Sequence, residues 1–331
     1  MHAGVAASTV SYVLNRPEIV APATRARVEQ AIATRGFVPN ASARHLRRGR
    51  GTVLGLVLLD LANPFFIDVA RGVDDAARAA GMSVIVCNSD EQPGREAGYL
   101  DVLEEQRVRG VIITPVDDVS ERLLRLRRHG IQVVLLDRHA DRDDLCSVAV
   151  DNRLGGELAA AHLLEEGHRR LAFLGGPWRL EQVRARYHGA LTALEHAGLG
   201  PEQLRYLDGP PPPTKPMEVG RDAVARILGL PGPERPTAVF CASDRVALGM
   251  LQGLTQHRLR VPDDIALIGY DDIEIAAAAA VPLSSVRQPR YELGRAAAEL
   301  LIDETEHPAS HTHQQLVFKP ELVVRQSSQR G

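Results

Sequence analysis

The chain has 331 residues, 44% of them hydrophobic, 4% aromatic and 24% charged, with a formal net charge of −3, enough length for two or three domains with proper cores. The charge is unevenly divided: residues 1–50 hold eight arginines against Glu18 and Glu29, a net +6, so the remaining 281 residues carry −9. No apolar run approaches the roughly 18 residues of a membrane span and the start has no secretion-signal pattern, so the expected location is the cytoplasm.

Residues 3–15 read as a short helix with Val10, Val13 and Leu14 on an inner face and Ser8, Ser11 and Tyr12 turned away. Arg16-Pro17 ends it. Residues 23–35 give a second helix, with Val28, Ala31 and Ile32 inward and Gly36 as its stop. Val38-Pro39-Asn40 breaks the chain. Residues 41–48 form a polar helix candidate with one large apolar residue, Leu46, among Arg44, Arg47 and Arg48, followed by a flexible joint at 48–51. A small basic head on a large acidic body fits a module that meets phosphate joined to one that does not.

From Thr52 the pattern becomes βαβα. Strands at 53–59, 83–87, 111–114, 133–136 and 147–150 alternate with helices at 65–80, 95–107 and 120–129. The rhythm restarts after Asp151, with helices at 154–166, 184–197, 219–228 and 245–257 and strands at 171–174, 205–207, 238–241 and 265–268. Such alternation predicts parallel sheets with helices on both faces. Two doubly wound halves in tandem imply two lobes with a cleft between them. Pro210 to Pro213 reads as a stiff surface loop. Cys87, Cys146 and Cys241 are widely spaced, two of them inside apolar strand-like runs, and are expected as buried free thiols.

Open α/β sheets bind ligands outside the carboxyl ends of their strands. Polar residues collect there: Asp60 with Asn63-Pro64-Phe65-Phe66, then Asn88-Ser89-Asp90, Asp137-Arg138, Asp151-Asn152, Ser243-Asp244 and Asp271-Asp272. Arg186 and Gln288 lie outside this pattern but carry suitable donors. Hydrogen-bonding forks beside a flat apolar face suit a small polyhydroxylated ligand. The plainer readings stay open here. Asp60, Asp244 and Asp272 can cap the following helices, Asp137-Arg138 can be a surface ion pair, Phe65 and Phe66 can be core, and Asn63 before Pro64 is a good turn residue.

Seven segments, in order, resemble the lactose-repressor (LacI/GalR) family of bacterial transcription regulators. They are AGVAASTVSYVLN (3–15), VPNASARHLRRGR (38–50), NPFF (63–66), the run from Gly72 to Gly81, Asp151-Asn152 with Gly155-Gly156, SDRVALG (243–249) and VPDDIALIGYDD (261–272). The resemblance spans essentially the whole chain. It implies a helix-turn-helix head at 1–37, a hinge helix and linker at 38–51, and a core at 52–331 like periplasmic sugar-binding proteins. The first lobe would comprise 52–151 and 280–308, the second 152–279 and 309–331.

By that resemblance the recognition helix is about residues 7–15, placed in the major groove. Ala7, Ser8 and Tyr12 match base-reading positions, and Thr9, Ser11 and Asn15 match phosphate and framework contacts. Ala7 can at most touch a thymine methyl. In the hinge, Asn40, Arg44, Leu46 and Arg47 are implied to meet DNA, with Leu46 of each subunit wedged into the minor groove. A short helix with a lone apolar residue among arginines is not stable alone and would order with its twin and DNA; a plain basic linker is the alternative. Asp60 and Ser243 stand at strand ends of the core. Asn63, Phe65, Phe66, Asp137, Arg138, Arg186, Asp271 and Gln288 match the ligand contacts of ribose-type binding proteins, and Ser243 stands where many of these carry Asn.

The expected function is therefore a ligand-responsive repressor, sensing a sugar or sugar derivative and acting as a homodimer on a pseudo-palindromic operator. Ligand closes the lobes and shifts the hinge helices. No cofactor beyond the effector and no metal is expected. A purine-like corepressor is the alternative within the family, and a stand-alone sugar-binding protein the alternative if the head does not function. An enzyme is disfavoured: Asp60-Leu61-Ala62-Asn63 stands where a glycine-rich phosphate loop would follow strand one, and His311-Thr312-His313 reads as a solvated loop. Relative to the family pattern the chain starts at the last residue of the first head helix. The expectation is a loose head that holds DNA weakly, with a start codon further upstream as the explanation.

Overall fold

A computed structural model describes residues 3–35, 51–117, 121–209 and 215–329. The chain divides into two units, Met1–Gly51 and Thr52–Gly331.

In the first unit, α1 (Ala7–Asn15) and α2 (Pro22–Arg35) are joined through a short 3-10 turn at Pro17–Ile19. Among its described residues Val13 and Val28 are buried, while Val10, Ala31 and Ile32 are half-buried. Leu14, expected inside, is exposed. A nine-residue helix with one neighbouring helix presents only a narrow inner stripe, and Val13 fills it. Ala7, Ser8 and Tyr12 are exposed and Thr9 and Ser11 half-buried, on the helix that Asn15 ends. Asn40, Arg44, Leu46 and Arg47, and with them the hinge helix, lie outside the described residues, as does Pro210–Pro213.

The second unit holds two six-stranded sheets. The chain runs β1 (Val53–Leu58), α3 (Pro64–Ala79), β2 (Ser83–Asn88), α4 (Pro93–Glu105), β3 (Gly110–Ile113), α5 (Glu121–Arg128), β4 (Gln132–Leu136) and β5 (Cys146–Val150). It continues through α6 (Asn152–Glu165), β6 (Leu171–Leu174), α7 (Glu181–His196), β7 (Leu204–Leu207), α8 (Pro216–Leu228), β8 (Ala238–Cys241), α9 (Asp244–Gln256) and β9 (Ala266–Asp271). Last come α10 (Glu274–Ala277), β10 (Ser284–Arg287), α11 (Arg290–Glu306), β11 (Gln315–Phe318) and β12 (Glu321–Val323). The sheet orders are β11-β5-β4-β3-β1-β2 and β12-β10-β9-β8-β6-β7. Every pairing is parallel except β12 on β10. The central strands are near-continuous apolar runs, fully buried in β3, β5, β8 and β9, as strands covered on both faces must be.

The lobe boundaries differ from the expected ones at the carboxyl end. β10, placed by sequence in the first lobe, belongs to the second sheet; β11, placed in the second lobe, belongs to the first sheet. The chain crosses between lobes three times, at Asp151, at Gln288-Pro289 and at Lys319-Pro320. Each proline stands where the backbone leaves one sheet's ladder, because it cannot donate to it. The segment from 284 to 323 was hard to read because its strands are three or four residues long and partly polar.

Three helix pairs pack at a distance only glycine permits. A Cβ at Gly72 of α3 would sit 2.1 Å from the Tyr291 carbonyl oxygen, and one at Gly294 of α11 2.0 Å from that of Val69. The same reciprocity joins α6 to α7 through Gly156 and Gly189, and α8 to α9 through Gly220 and Gly249. The α6–α7 pair carries part of the interlobe cleft.

Candidate functional site

A cavity of about 410 Å³ opens between the lobes at the carboxyl ends of both sheets' strands, within the range of roughly 300–1,000 Å³ usual for small-molecule sites. The first lobe lines it with Asp60, Asn63, Phe65, Phe66 and Asp137, the second with Arg186, Ser243 and Asp271. Thus eight of the ten residues singled out for the effector share one cavity.

The turn after β1 sets the first wall. Asn63 caps α3, its Oδ1 accepting from the Phe65 N–H at 3.1 Å, and Pro64 opens the helix. The Asn63 side chain also donates across the cleft to Asp271 Oδ2 at 3.1 Å. Phe65 and Phe66 are both buried and stack edge to face, ring centroids 4.9 Å apart. Core packing and cleft lining are therefore the same role here. Asp60 accepts from Ala62 N–H at 2.8 Å and pairs with Arg245 at 2.5 Å.

Asp137 and Asp271 follow or end their strands at φ of +52° and +109°. A non-glycine residue adopts such angles only under constraint from its surroundings. Asp137 Oδ2 accepts from Gln182 at 3.1 Å, and the Asn152 amide also lies against the carboxyl and helps to hold its charged form. Asp271 accepts from Gln288 at 2.8 Å and from Asn63. Arg186 donates to Asn152 Oδ1 at 2.8 Å and to the Ala242 carbonyl at 2.6 Å, with its guanidinium 3.5 Å above the Tyr270 ring. That stack and those bonds fix a planar cation between the carboxylates.

Burial pushes the Asp137 carboxyl up to about 7, against the opposing pull of Arg186. Asp271 is raised for the same reason, with Arg186 again the main opposing influence. Asp137 therefore holds its proton more tightly folded than unfolded. Stability from this group is full below pH 4, falls as pH rises toward 7 and then levels. Asp137→Asn removes that titration. Thermal unfolding between pH 4 and 9 should show the wild type losing ground to the variant up to about pH 7, on the order of a few kcal/mol. A pH-independent difference would contradict the assignment.

Two expected contacts lie elsewhere. Arg138 faces away, donating to the Asp117 carbonyl at 2.8 Å and pairing with Glu181 at 3.2 Å beside a smaller cavity. The left-handed turn at Asp137 sends the two neighbours to different sides. Gln288 sits behind the wall, buried, and holds Asp271 rather than facing the cleft. Ser243 lines the cavity, but its hydroxyl caps α9 by accepting from Val246 N–H. Asp244 is no cap. It is a buried strut accepting from Ser285 Oγ at 2.6 Å and Ile273 N–H at 2.8 Å, and burial raises its carboxyl well above the ordinary range. Asp272 pairs with Arg287 and Arg325 at 2.7 Å each.

Sequence reasoning missed Gln182 and Arg245. α7 starts at Glu181, not Arg184, which puts Gln182 four residues before Arg186 on the same face. Arg245 in the first turn of α9 opposes the helix dipole, a signal that it has a carboxylate partner elsewhere. Across the cleft, Gln182 also donates to the Asp137 carbonyl at 2.6 Å and Arg179 to that of Glu91 at 2.6 Å, so the lobes are closed on each other. Away from the cleft, His311, expected in a solvated loop, has a side chain only 2% exposed. All three cysteines are free and buried.

Residues 1–40 match the family of bacterial regulatory proteins of the lacI type, and residues 160–328 the periplasmic binding protein-like domain. The ribose operon repressor of Escherichia coli K12 is 34% identical over 98% of this chain and 97% of its own length. This chain belongs to the lactose-repressor family. It is a ligand-responsive, DNA-binding transcriptional regulator of that type. The purine repressor PurR of Photobacterium profundum is 31% identical over 98% of this chain and 96% of its own. Among solved structures, a lac repressor dimer bound to operator and the anti-inducer ONPF superposes with a TM-score of 0.79 at 26% identity, covering 99% of this chain and 96% of that one. A LacI-family regulator from Enterococcus faecium with bound ribose gives 0.76 at 28%, covering 83% and 98%. No described helix is long and apolar enough to cross a membrane.

Proposed function

We propose that this regulator is a cytoplasmic repressor whose cleft takes a monosaccharide of the ribose class and which binds a pseudo-palindromic operator as a homodimer. The observation that carries the ligand reading is a wall of buried polar groups, Asp137 and Asp271 with Arg186, that lines the cavity beside Phe65 and Phe66. Buried acceptors want donors, and a sugar offers several hydroxyls, while its C–H faces match Phe65 and Phe66. A relative named as a ribose operon repressor and a structural neighbour with bound ribose support the same class.

The cleft binds without turnover in this reading. Among its described lining residues, Ser243 is the only hydroxyl nucleophile, and its oxygen is engaged at the helix cap. The second copy would sit against the first lobe, where the edge strand β2 exposes Ile85 and Val86 beside Ile67 of α3. A lac repressor neighbour is a dimer.

A thermal-shift screen tests the ligand class. Ribose at about one hundred times its Kd should stabilise the chain by roughly 2.7 kcal/mol, with purine bases silent. Stabilisation by a purine and by no sugar would replace this reading with the corepressor one.

A further inference from the structure

We infer that Cys146, Glu304, His311 and His313 form a binding site for a tetrahedral divalent transition ion of the zinc class, in the first lobe and apart from the interlobe cleft. One ligand atom from each lies within 4.8 Å of all the others. Cys146 Sγ stands 3.2 Å from His311 Nε2 and 3.6 Å from His313 Nδ1, and His313 Nδ1 stands 4.0 Å from Glu304 Oε1. Zinc–sulfur and zinc–nitrogen bonds of about 2.3 and 2.0–2.1 Å imply tetrahedron edges of about 3.3–3.6 Å, so small side-chain shifts close the set. A thiolate, two imidazoles and a carboxylate are the donors that borderline-soft ions select.

A second observation points the same way. Glu304 is 4% exposed, yet among the described residues its Oε2 has no hydrogen-bond partner, an arrangement that a bound cation would satisfy. The second shell is also in place. His311 Nδ1 is 2.6 Å from Asp303 Oδ2, which leaves Nε2 directed at the sulfur, as carboxylate-oriented metal histidines are. Gln314 N–H donates to Cys146 Sγ at 3.4 Å and helps aim the sulfur at the histidines. Arg127, the cation whose charge reaches these groups, is already paired with Asp144 at 2.9 Å.

The topology gives the ion a structural task. Cys146 opens β5, at the end of the sheet opposite the cleft; Glu304 is on the last turn of α11; both histidines are on the loop leading into β11. One ion would fasten the loop between α11 and β11 to the start of β5, the strand that β11 pairs with.

Cobalt(II) is the probe, since its thiolate charge-transfer absorption reports a Co–S bond. Titration of the metal-free full chain should give one equivalent per chain with that band. Cys146→Ser and His313→Asn should abolish it, Cys87→Ser should leave it, and Asp303→Asn should weaken binding about tenfold or more. Zinc should displace the cobalt and raise the melting temperature of the wild type and of Cys87→Ser, but not of Cys146→Ser or His313→Asn. His313→Asn, at a partly exposed position with the thiol intact, decides the matter if Cys146→Ser fails to fold. Absence of the band in the wild type, or its persistence in folded Cys146→Ser or His313→Asn, would overturn the site and leave a hydrogen-bonded cluster only.

Discussion

Arg186→Ala is expected to weaken effector binding by roughly 2–5 kcal/mol, thirtyfold to several-thousand-fold in Kd. The guanidinium is buried, held by Asn152 and the Ala242 carbonyl and stacked on Tyr270. Its removal strips Asp137 and Asp271 of the charge that opposes their burial. Both carboxyls should then take up protons at higher pH than in the wild type, which limits the stability loss but converts acceptors the effector needs into neutral acids. Arg186→Lys keeps the charge without the planar fork and should fall between the two. Isothermal calorimetry on the three proteins measures this. Equal affinities across the series would remove Arg186 from the site.

Gly156→Ala should cost about 3 kcal/mol or more, at the upper end of overpacking effects. The new methyl would meet the Arg186 carbonyl oxygen at 1.9 Å. That atom is backbone, so no side chain can yield and α6 and α7 must separate. Because α6 carries Asn152 and α7 carries Gln182 and Arg186, effector binding should weaken along with stability. Gly98→Ala is the matched control. Gly98 lies inside α4 with open space around it, and there alanine should stabilise by about 0.5–1 kcal/mol. Denaturant unfolding of both variants checks the pair. A Gly156→Ala chain as stable as the wild type would contradict the close helix contact.

Most of the fold was legible where strands are long and apolar and helices periodic. β1, β3, β4, β5 and β8 announce themselves as buried runs between helices. The stretch from 284 to 323 was not, since β10, β11 and β12 are three or four residues long and partly polar, and which sheet a short strand joins depends on where the chain crosses, not on its own composition. The cleft was legible through strand ends: Asp60, Asp137, Ser243 and Asp271 sit there because parallel sheets present their carboxyl ends to ligands. Arg138 was misplaced because adjacency in sequence does not survive a left-handed turn. Gln182 was hidden by a helix start read three residues late. The Cys146–His311 cluster joins residues 165 apart, a proximity no local pattern encodes.

Filling the cleft is expected to change how tightly the DNA-binding head holds operator. Operator affinity measured by fluorescence anisotropy at one fixed low salt concentration, with and without saturating ribose, tests it most directly. A change of about 5- to 150-fold in one direction or the other is expected, mirrored in ribose affinity measured with and without operator. Identical operator affinities while ribose is demonstrably bound would contradict it.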